Sequence, residues 1–218
     1  MDRLSSRTSA ALLAALVLAS CGGGTAATGG DLAAYAAAVE RNRTPANPAD
    51  VRFLTGMIPH HAQAVLFAGW AGSHGAGRAV TAFCERVVVG QRDEIATMST
   101  WLRDHGEDIP ELDPETMQMR MDMDMPGMEH HMRMPGMLTK EQLAELDAAR
   151  GGDFDRIFLT YMIGHHQGAL TMVDELFSSF GGAQDNVIYK IASDIYADQS
   201  TEIERMQRML DAMASPIR

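Results

Sequence analysis

A twelve-residue stretch that occurs twice constrains this chain more than any other feature. Phe158-Leu-Thr-Tyr-Met-Ile-Gly-His-His-Gln-Gly-Ala169 repeats Phe53-Leu-Thr-Gly-Met-Ile-Pro-His-His-Ala-Gln-Ala64 after 105 residues, with eight of the twelve positions identical. A repeat of this kind means that one supersecondary unit is used twice. Six of the eight histidines stand in adjacent pairs, two of them inside the repeat and the third at His130 and His131.

The sequence around each copy is helical in pattern. From Asp50 to about Ser73, Phe53, Met57, Ala64 and Ala68 fall along one line, with Leu54, Ile58 and Val65 beside it. Beyond the glycines at 72, 75 and 77, a second long pattern runs through Val80, Val87, Ile95, Met98 and Leu102. Two long amphipathic helices joined by a glycine-bearing turn form an antiparallel hairpin. The second half follows the same plan. Thr139-Lys-Glu-Gln142 has the form of a capping box opening a short helix, which Gly151-Gly152 is expected to close. A helix from Asp155 to about Phe180 carries the second His pair, and Asn186 to about Met213 is its partner. The partner helices also match, since Gln91-x-x-Glu94-Ile95-x-x-Met98 corresponds to Gln199-x-x-Glu202-Ile203-x-x-Met206. Strand patterns are absent. Neither hairpin can bury its apolar faces alone, so the expectation is an all-α four-helix bundle from two duplicated antiparallel hairpins, with short extra helices. One of these, Asp31 to about Arg43, is ended by Pro45 and Pro48.

On the helical wheel Phe53, Met57, His60 and Ala64 share a narrow arc with His61 at its edge, as do Phe158, Met162, His165, Ala169 and Met172 with His166 at theirs. An imidazole and a thioether thus lie one turn apart on the inward face of each hairpin. Neighbouring histidines diverge by about 100°, so a metal site would combine Met and His of one helix with groups from another. A lone core histidine is usually satisfied by hydrogen bonds. Here the pair recurs, and a helix-disfavouring residue, Pro59 or Gly164, precedes it in both copies. Gln91 and Gln199 interrupt apolar stripes on the partner helices, where an amide can orient an imidazole from behind. Cys84 reads as a small buried hydrophobe, and His74 and His105, near helix ends, as solvated.

Residues 117 to 137 hold nine of the 17 methionines: Met117, Met119, Met121, Met123, Met125 and Met128, then Met132, Met134 and Met137, with His130 and His131 between the groups. Alternation with Arg120, Asp122, Asp124 and Glu129, and two Pro-Gly breaks, leaves no continuous apolar face to bury. Thioether and imidazole are soft ligands that suit Cu(I) and would admit Ag(I).

The chain opens with Arg3 and Arg7, an apolar run from Ala10 to Ala19, and Leu18-Ala-Ser-Cys21. This has the layout of a secretory signal over residues 1 to 20, and its end resembles a bacterial lipobox in which Cys21 carries lipid. Residues 22 to 30 then form a flexible spacer. The expected location is the outer or periplasmic side of the cell membrane. With Cys21 lipidated only Cys84 remains, so no intrachain disulfide is available. The formal net charge of −11 excludes nucleic acid as a natural partner and favours cations.

The repeated Phe-Leu, Met-Ile, His-His and final Ala, with the Gln-x-x-Glu-Ile partner helices and Phe154-Asp155, resembles the bacterial domain-of-unknown-function family number three hundred and five, over about residues 50 to 209. The resemblance implies a ferritin-like four-helix fold in exported proteins, some linked to copper binding and tolerance. Where the second copy has Met172 the first has Phe67, so equal ligand sets do not follow. Di-iron chemistry needs Glu-x-x-His pairs, and the sequence has none. The expected function is binding and shuttling of Cu(I) by the bundle residues and the methionine-rich segment. The rivals are a metal-dependent envelope oxidase and a helical module that binds another envelope protein.

Overall fold

The computed structural model describes residues 45–112 and 134–214. Within them are five helices and no β-strand: α1 Pro48–Ala68, α2 Arg78–His105, α3 Lys140–Ala148, α4 Gly151–Ser178 and α5 Asn186–Ala214. The expected helix at 31 to 43, the signal and spacer segments, Cys21, and Met117 to Met132 of the methionine-rich segment lie outside the described residues.

The fold is an all-α, ferritin-like four-helix bundle. α1 and α2 form one hairpin and α4 and α5 the other, and α1 and α4, the two helices carrying the repeat, pack against each other. The short α3 packs beside α4 and opens with the capping box, Thr139 accepting from Gln142 N while the Gln142 side chain accepts from Thr139 N.

Two boundaries differ from the pattern reading. Pro48 opens α1, two residues ahead of the expected start at Asp50. Asn47 caps it by accepting from Ala49 N at 2.7 Å, and a proline in the first turn has no N–H to leave unsatisfied. The pair Gly151-Gly152 begins α4 instead of terminating α3. Gly151, at φ +57°, turns the chain there and donates its N–H to His74 O at 2.8 Å. Pro59 lies inside α1, which continues through it.

The apolar side chains separate into two clusters. One gathers Phe53, Leu54, Met57 and Ile58 of α1 with Met98, Leu102, Val173, Leu176, Ile191 and Ile195. The other gathers Ala64 and Phe67 of α1 with Val80, Phe83, Val87, Phe154, Phe158, Leu159 and Met162. Phe67, Phe83, Phe154 and Phe158 are fully buried, each stabilising the fold by about 1.5–3 kcal/mol through removal from water.

The hairpins are also joined by a reciprocal pair of buried carboxylates. Asp50 and Asp155 each stand three residues before the phenylalanine that opens the repeat. Asp50 accepts from Ala183 N in the α4–α5 turn at 2.7 Å, and both oxygens of Asp155 accept from Gly77 N in the α1–α2 turn at 3.1 and 3.0 Å. Each repeat helix therefore holds the turn of the opposite hairpin. Ala183 is the one non-glycine residue at positive φ among those described, at 54°, and its bond to Asp50 supports that conformation. A Cβ on Gly77 would stand 2.8 Å from an Asp155 oxygen, so the second clasp requires glycine. Replacing Asp50 or Asp155 by alanine orphans a buried backbone donor, and each variant is expected to lose about 1–3 kcal/mol of unfolding free energy in urea denaturation. An unchanged denaturation midpoint in both would show that the clasp contributes nothing.

Candidate metal centre

Between the two apolar clusters lies a polar layer. His60 and His61 of α1 and His165 and His166 of α4 all have zero exposure, so both members of each pair face the interior. This is possible because the two helices cross at the repeat. The first histidine of each pair meets its counterpart, and the second is directed to the partner helix of its own hairpin. The His60 and His165 rings lie with centroids 3.8 Å apart at 40°. His61 Nε2 donates to Glu94 Oε2 of α2 at 2.7 Å, and His166 Nε2 donates to Glu202 Oε2 of α5 at 2.7 Å.

These partners settle the tautomers. A carboxylate accepts, so Nε2 of His61 and of His166 carries a proton and Nδ1 is the nitrogen left for a ligand. His60 Nε2 donates to the Pro135 carbonyl at 3.0 Å, which again leaves Nδ1 bare. The Nδ1 atoms of all four histidines, and Nε2 of His165, are buried without a hydrogen-bond partner. Desolvation first, and then the neighbouring His61, hold His60 far below the ordinary histidine range, at about 3. Desolvation, followed by the other three histidines, likewise pushes His165 well down. Both rings are neutral at physiological pH, the state in which imidazole ligates a metal.

The surrounding residues complete the layer. Gln91 and Gln199 are buried at its edge with both carboxamide atoms unpartnered, and neither bonds a histidine; the orienting groups are Glu94 and Glu202, three residues further on. The signal for them was present in the duplicated Gln-x-x-Glu. Met57 and Met162 are fully buried, one on each side of the layer. Met172 lies against Gly56, its Cε 3.1 Å from where a Cβ would be, and Met134 Sδ is 3.6 Å from the same point. Phe67, at the position equivalent to Met172, instead packs edge-on to His165 at 5.6 Å. Met137 is half-buried.

A contact that sequence patterns could not reveal joins the end of the methionine-rich segment to the layer. The turn Met134-Pro135-Gly136-Met137 lies directly on α4. A Cβ on Gly168 would be 1.9 Å from Pro135 O, and one on Gly136, at φ +79°, would be 2.6 Å from Gly164 O. Gln63 then grips the next residue at both ends, donating to Leu138 O at 3.2 Å and accepting from Leu138 N at 2.7 Å.

His74 is buried instead of solvated. Its Nε2 bonds Asp147 O and Oδ1, each at 3.0 Å, tying the α1–α2 turn to the end of α3. His105 is half-buried, with Nδ1 donating to Trp101 O at 2.8 Å. Cys84 is a core residue whose thiol burial pushes up to about 12, with the Asp155 charge adding to the effect, so it offers no thiolate. Among the described residues no three His, Cys, Asp or Glu side chains converge as a ready metal site. The layer provides neutral nitrogen lone pairs next to thioethers, a donor set suited to a soft ion of low coordination number.

Known proteins resemble this chain in sequence and in fold. The sequence model of the family described as "Domain of unknown function (DUF305)" matches residues 50–210. The crystal structure of a DUF305 fragment from Deinococcus radiodurans is 27% identical, covers 78% of this chain and 99% of its own, and superposes with a TM-score of 0.63. CopM in its Cu(II)-bound form is 26% identical, with 75% and 97% covered and a TM-score of 0.58. CopM in its Cu(I)-bound form is 25% identical, with 76% and 98% covered and a TM-score of 0.57. No curated protein matches the sequence.

Neutral buried histidines make stability depend on pH. The unfolded chain takes up protons as pH falls through about 6.5, whereas folded His60 does not until about 3, so each such group removes stability as pH drops below 6.5. Asp50, Asp155 and Asp198, whose carboxyls burial pushes up, act in the opposite sense. The histidine contribution is therefore isolated by comparison. Metal-free His165→Gln should show a shallower fall in thermal midpoint between pH 7 and pH 5 than the parent protein, and an identical slope would contradict a neutral His165. Gly168→Ala must displace the Pro135–Gly136 turn, with an expected loss of about 1–3 kcal/mol in urea unfolding, as for overpacking of a close contact.

Proposed function

The chain belongs to the DUF305 family, and on that premise we propose that it is a copper-binding protein of the cell envelope, which holds Cu(I) at the imidazole layer and buffers or shuttles it. The observation that carries this reading is the set of buried imidazole nitrogens without hydrogen-bond partners. An orphaned buried polar atom is costly, by about 1–3 kcal/mol each, and several in one layer call for an occupant. The ion is cargo here, and the residues fit it. His60, His61, His165 and His166 would supply nitrogen, and Met57, Met162 and Met172 thioether sulfur.

Glu94 and Glu202 have the role of the groups that commonly stand behind metal-bound histidines. They fix the tautomer and raise the basicity of the free nitrogen. Gln91 and Gln199 support the layer from its edge. The relationship to CopM, of which Cu(I)- and Cu(II)-bound structures exist, supports copper as the metal, and the softness of the donors extends the reading to Ag(I). Met117, Met119, Met121, Met123, Met125, Met128, His130, His131 and Met132 would capture ions, with Met134 and Met137 joining that segment to the bundle. Export and a lipid anchor at Cys21 rest on the sequence pattern of residues 1 to 21, which would place these thioethers where thiols are oxidised. No helix among the described residues is long and apolar enough to cross a membrane.

The test is an anaerobic Cu(I) titration of the protein lacking residues 1 to 21 against a chromophoric chelator, with Zn(II) and Fe(II) as controls. More than one equivalent of selectively held Cu(I) is expected, with fewer after deletion of residues 117 to 137 and weaker retention in the His60→Gln, His165→Gln double variant. No competition for Cu(I) would overturn the reading. A double variant that loses thermal stability but binds Cu(I) as before would return the histidines to a purely structural role.

A further inference from the structure

A cleft of about 320 Å³ opens between α2 and α5, on the side of the bundle away from the Pro135 contact. Its lining divides into two ends. Arg86 and Arg205 lie over the Phe83 ring at 6.0 and 5.8 Å, while Glu94, Asp198 and Glu202 gather at the other. Between them stand Gln91 and Gln199, only 4% and 2% exposed, whose carboxamide atoms have no hydrogen-bond partner among the described residues. Two buried amides with free oxygens on the wall of an open cleft are an unmet demand for a ligand, independent of the acidic cluster beside them.

Burial is graded along this wall. Asp198 is exposed, the Glu94 and Glu202 side chains are 23% and 25% exposed, and the histidines they bond are at 0%. Oxygen-bearing side chains thus line the cleft from exposed Asp198 to the carboxylates that bond the imidazole layer. Asp198 lines the cleft together with Glu94 and Glu202, and three carboxylates gathered at one end of an opening favour a cation there. Oxygen donors hold Cu(I) weakly compared with nitrogen and sulfur, which is what a transit point requires and a storage site does not.

We propose that this cleft is the port by which the cation enters the bundle, with Asp198 as the outer capture group, Gln91 and Gln199 as the holding point, and the Glu94 and Glu202 carboxylates as the inner rim past which it reaches the bare nitrogens of the imidazole layer. The inference rests on the copper reading above and adds the route. It separates rate from affinity. Asp198 touches no histidine, so removing its charge should slow entry and leave the filled site unchanged.

The experiment mixes the full chain with Cu(I), supplied anaerobically as its cationic acetonitrile complex, in a stopped-flow spectrometer, and measures equilibrium capacity on the same samples. Asp198→Asn is expected to lower the second-order loading rate about threefold at low salt and Asp198→Lys about tenfold or more, both differences shrinking as salt rises, with capacity unchanged. Gln91→Leu with Gln199→Leu should slow loading at all salt concentrations. Asp174→Asn, an exposed carboxylate on α4, is the control for general surface charge. Equal slowing by Asp174→Asn, or parental rates in Asp198→Lys and the double glutamine variant, would overturn the port. Slowing by Met134→Leu, with the cleft variants at parental rates, would assign entry to the methionine side instead. Absence of Cu(I) binding in the parent protein would overturn the copper reading itself, a result distinct from intact capacity with unaltered rates.

Discussion

Four imidazoles buried in one layer are the constraint on which the remaining structure depends. Charged, they would repel each other in a medium that screens poorly, and desolvation would oppose each charge further. The fold keeps the central pair, His60 and His165, neutral and supplies each outward nitrogen with an acceptor where one can reach. Glu94 and Glu202 serve His61 and His166, and the Pro135 carbonyl serves His60. The inward nitrogens are left bare. Such a layer weakens an apolar bundle, and the two hydrophobic clusters on either side, with the Asp50 and Asp155 clasps at the ends, offset that weakness. An ion that binds only the folded layer shifts the balance in favour of the folded state by mass action.

Duplication explains the symmetry of the site, and the positions at which the copies differ explain its asymmetry. Within the repeat only four positions are unlike: Gly56 and Tyr161, Pro59 and Gly164, Ala62 and Gln167, Gln63 and Gly168. Three of these pairs include a residue that meets the single turn at Met134–Met137. Gly168 clears space for Pro135, and Gly164 presents its carbonyl beside Gly136. Gln63, the counterpart of Gly168, grips Leu138 at both its N–H and its C=O. Gly56 gives room to Met134 and Met172. One intervening segment docks on one face of a two-fold bundle, and the copies have diverged where it lies.

Most of the architecture was legible because helical periodicity and duplication are local, repetitive signals. The four long helices, the capping box at Thr139 and the inward placement of Met57, Met162, His60 and His165 follow from spacing, whereas the burial of His61 and His166, at the edge of the arc, depends on the partner helices. What escaped depends on tertiary contacts. The two glycines at 151 and 152 fit a helix end or a helix start equally well, and only the bond from Gly151 N to His74 O shows which applies. His74 looked solvated because no spacing rule foresees a partner in Asp147, 73 residues away. By pattern Gln91 and Gln199 hold the orienting role, because they interrupt an apolar stripe. The carboxylates one turn further on hold it, since they reach the histidine nitrogen while the amides line the cleft.

The same asymmetry makes the two halves of the imidazole layer chemically unequal. His60 has one nitrogen occupied by a carbonyl from the methionine-rich side, whereas neither nitrogen of its neighbour His165 has a hydrogen-bond partner among the described residues. A ligand arriving at His165 displaces nothing, but any movement of the Pro135 turn alters the tautomer choice and orientation of His60. Events in the methionine-rich segment can therefore reach one imidazole of the central pair through a single hydrogen bond, backed by the Gln63 grip and the close contact at Gly168. The other face, where the α2–α5 cleft opens, is coupled to the layer through the Glu94 and Glu202 carboxylates and leaves the turn undisturbed. A bundle with two such inequivalent approaches to one set of donors has the geometry of a conduit, filled from one side and modulated from the other.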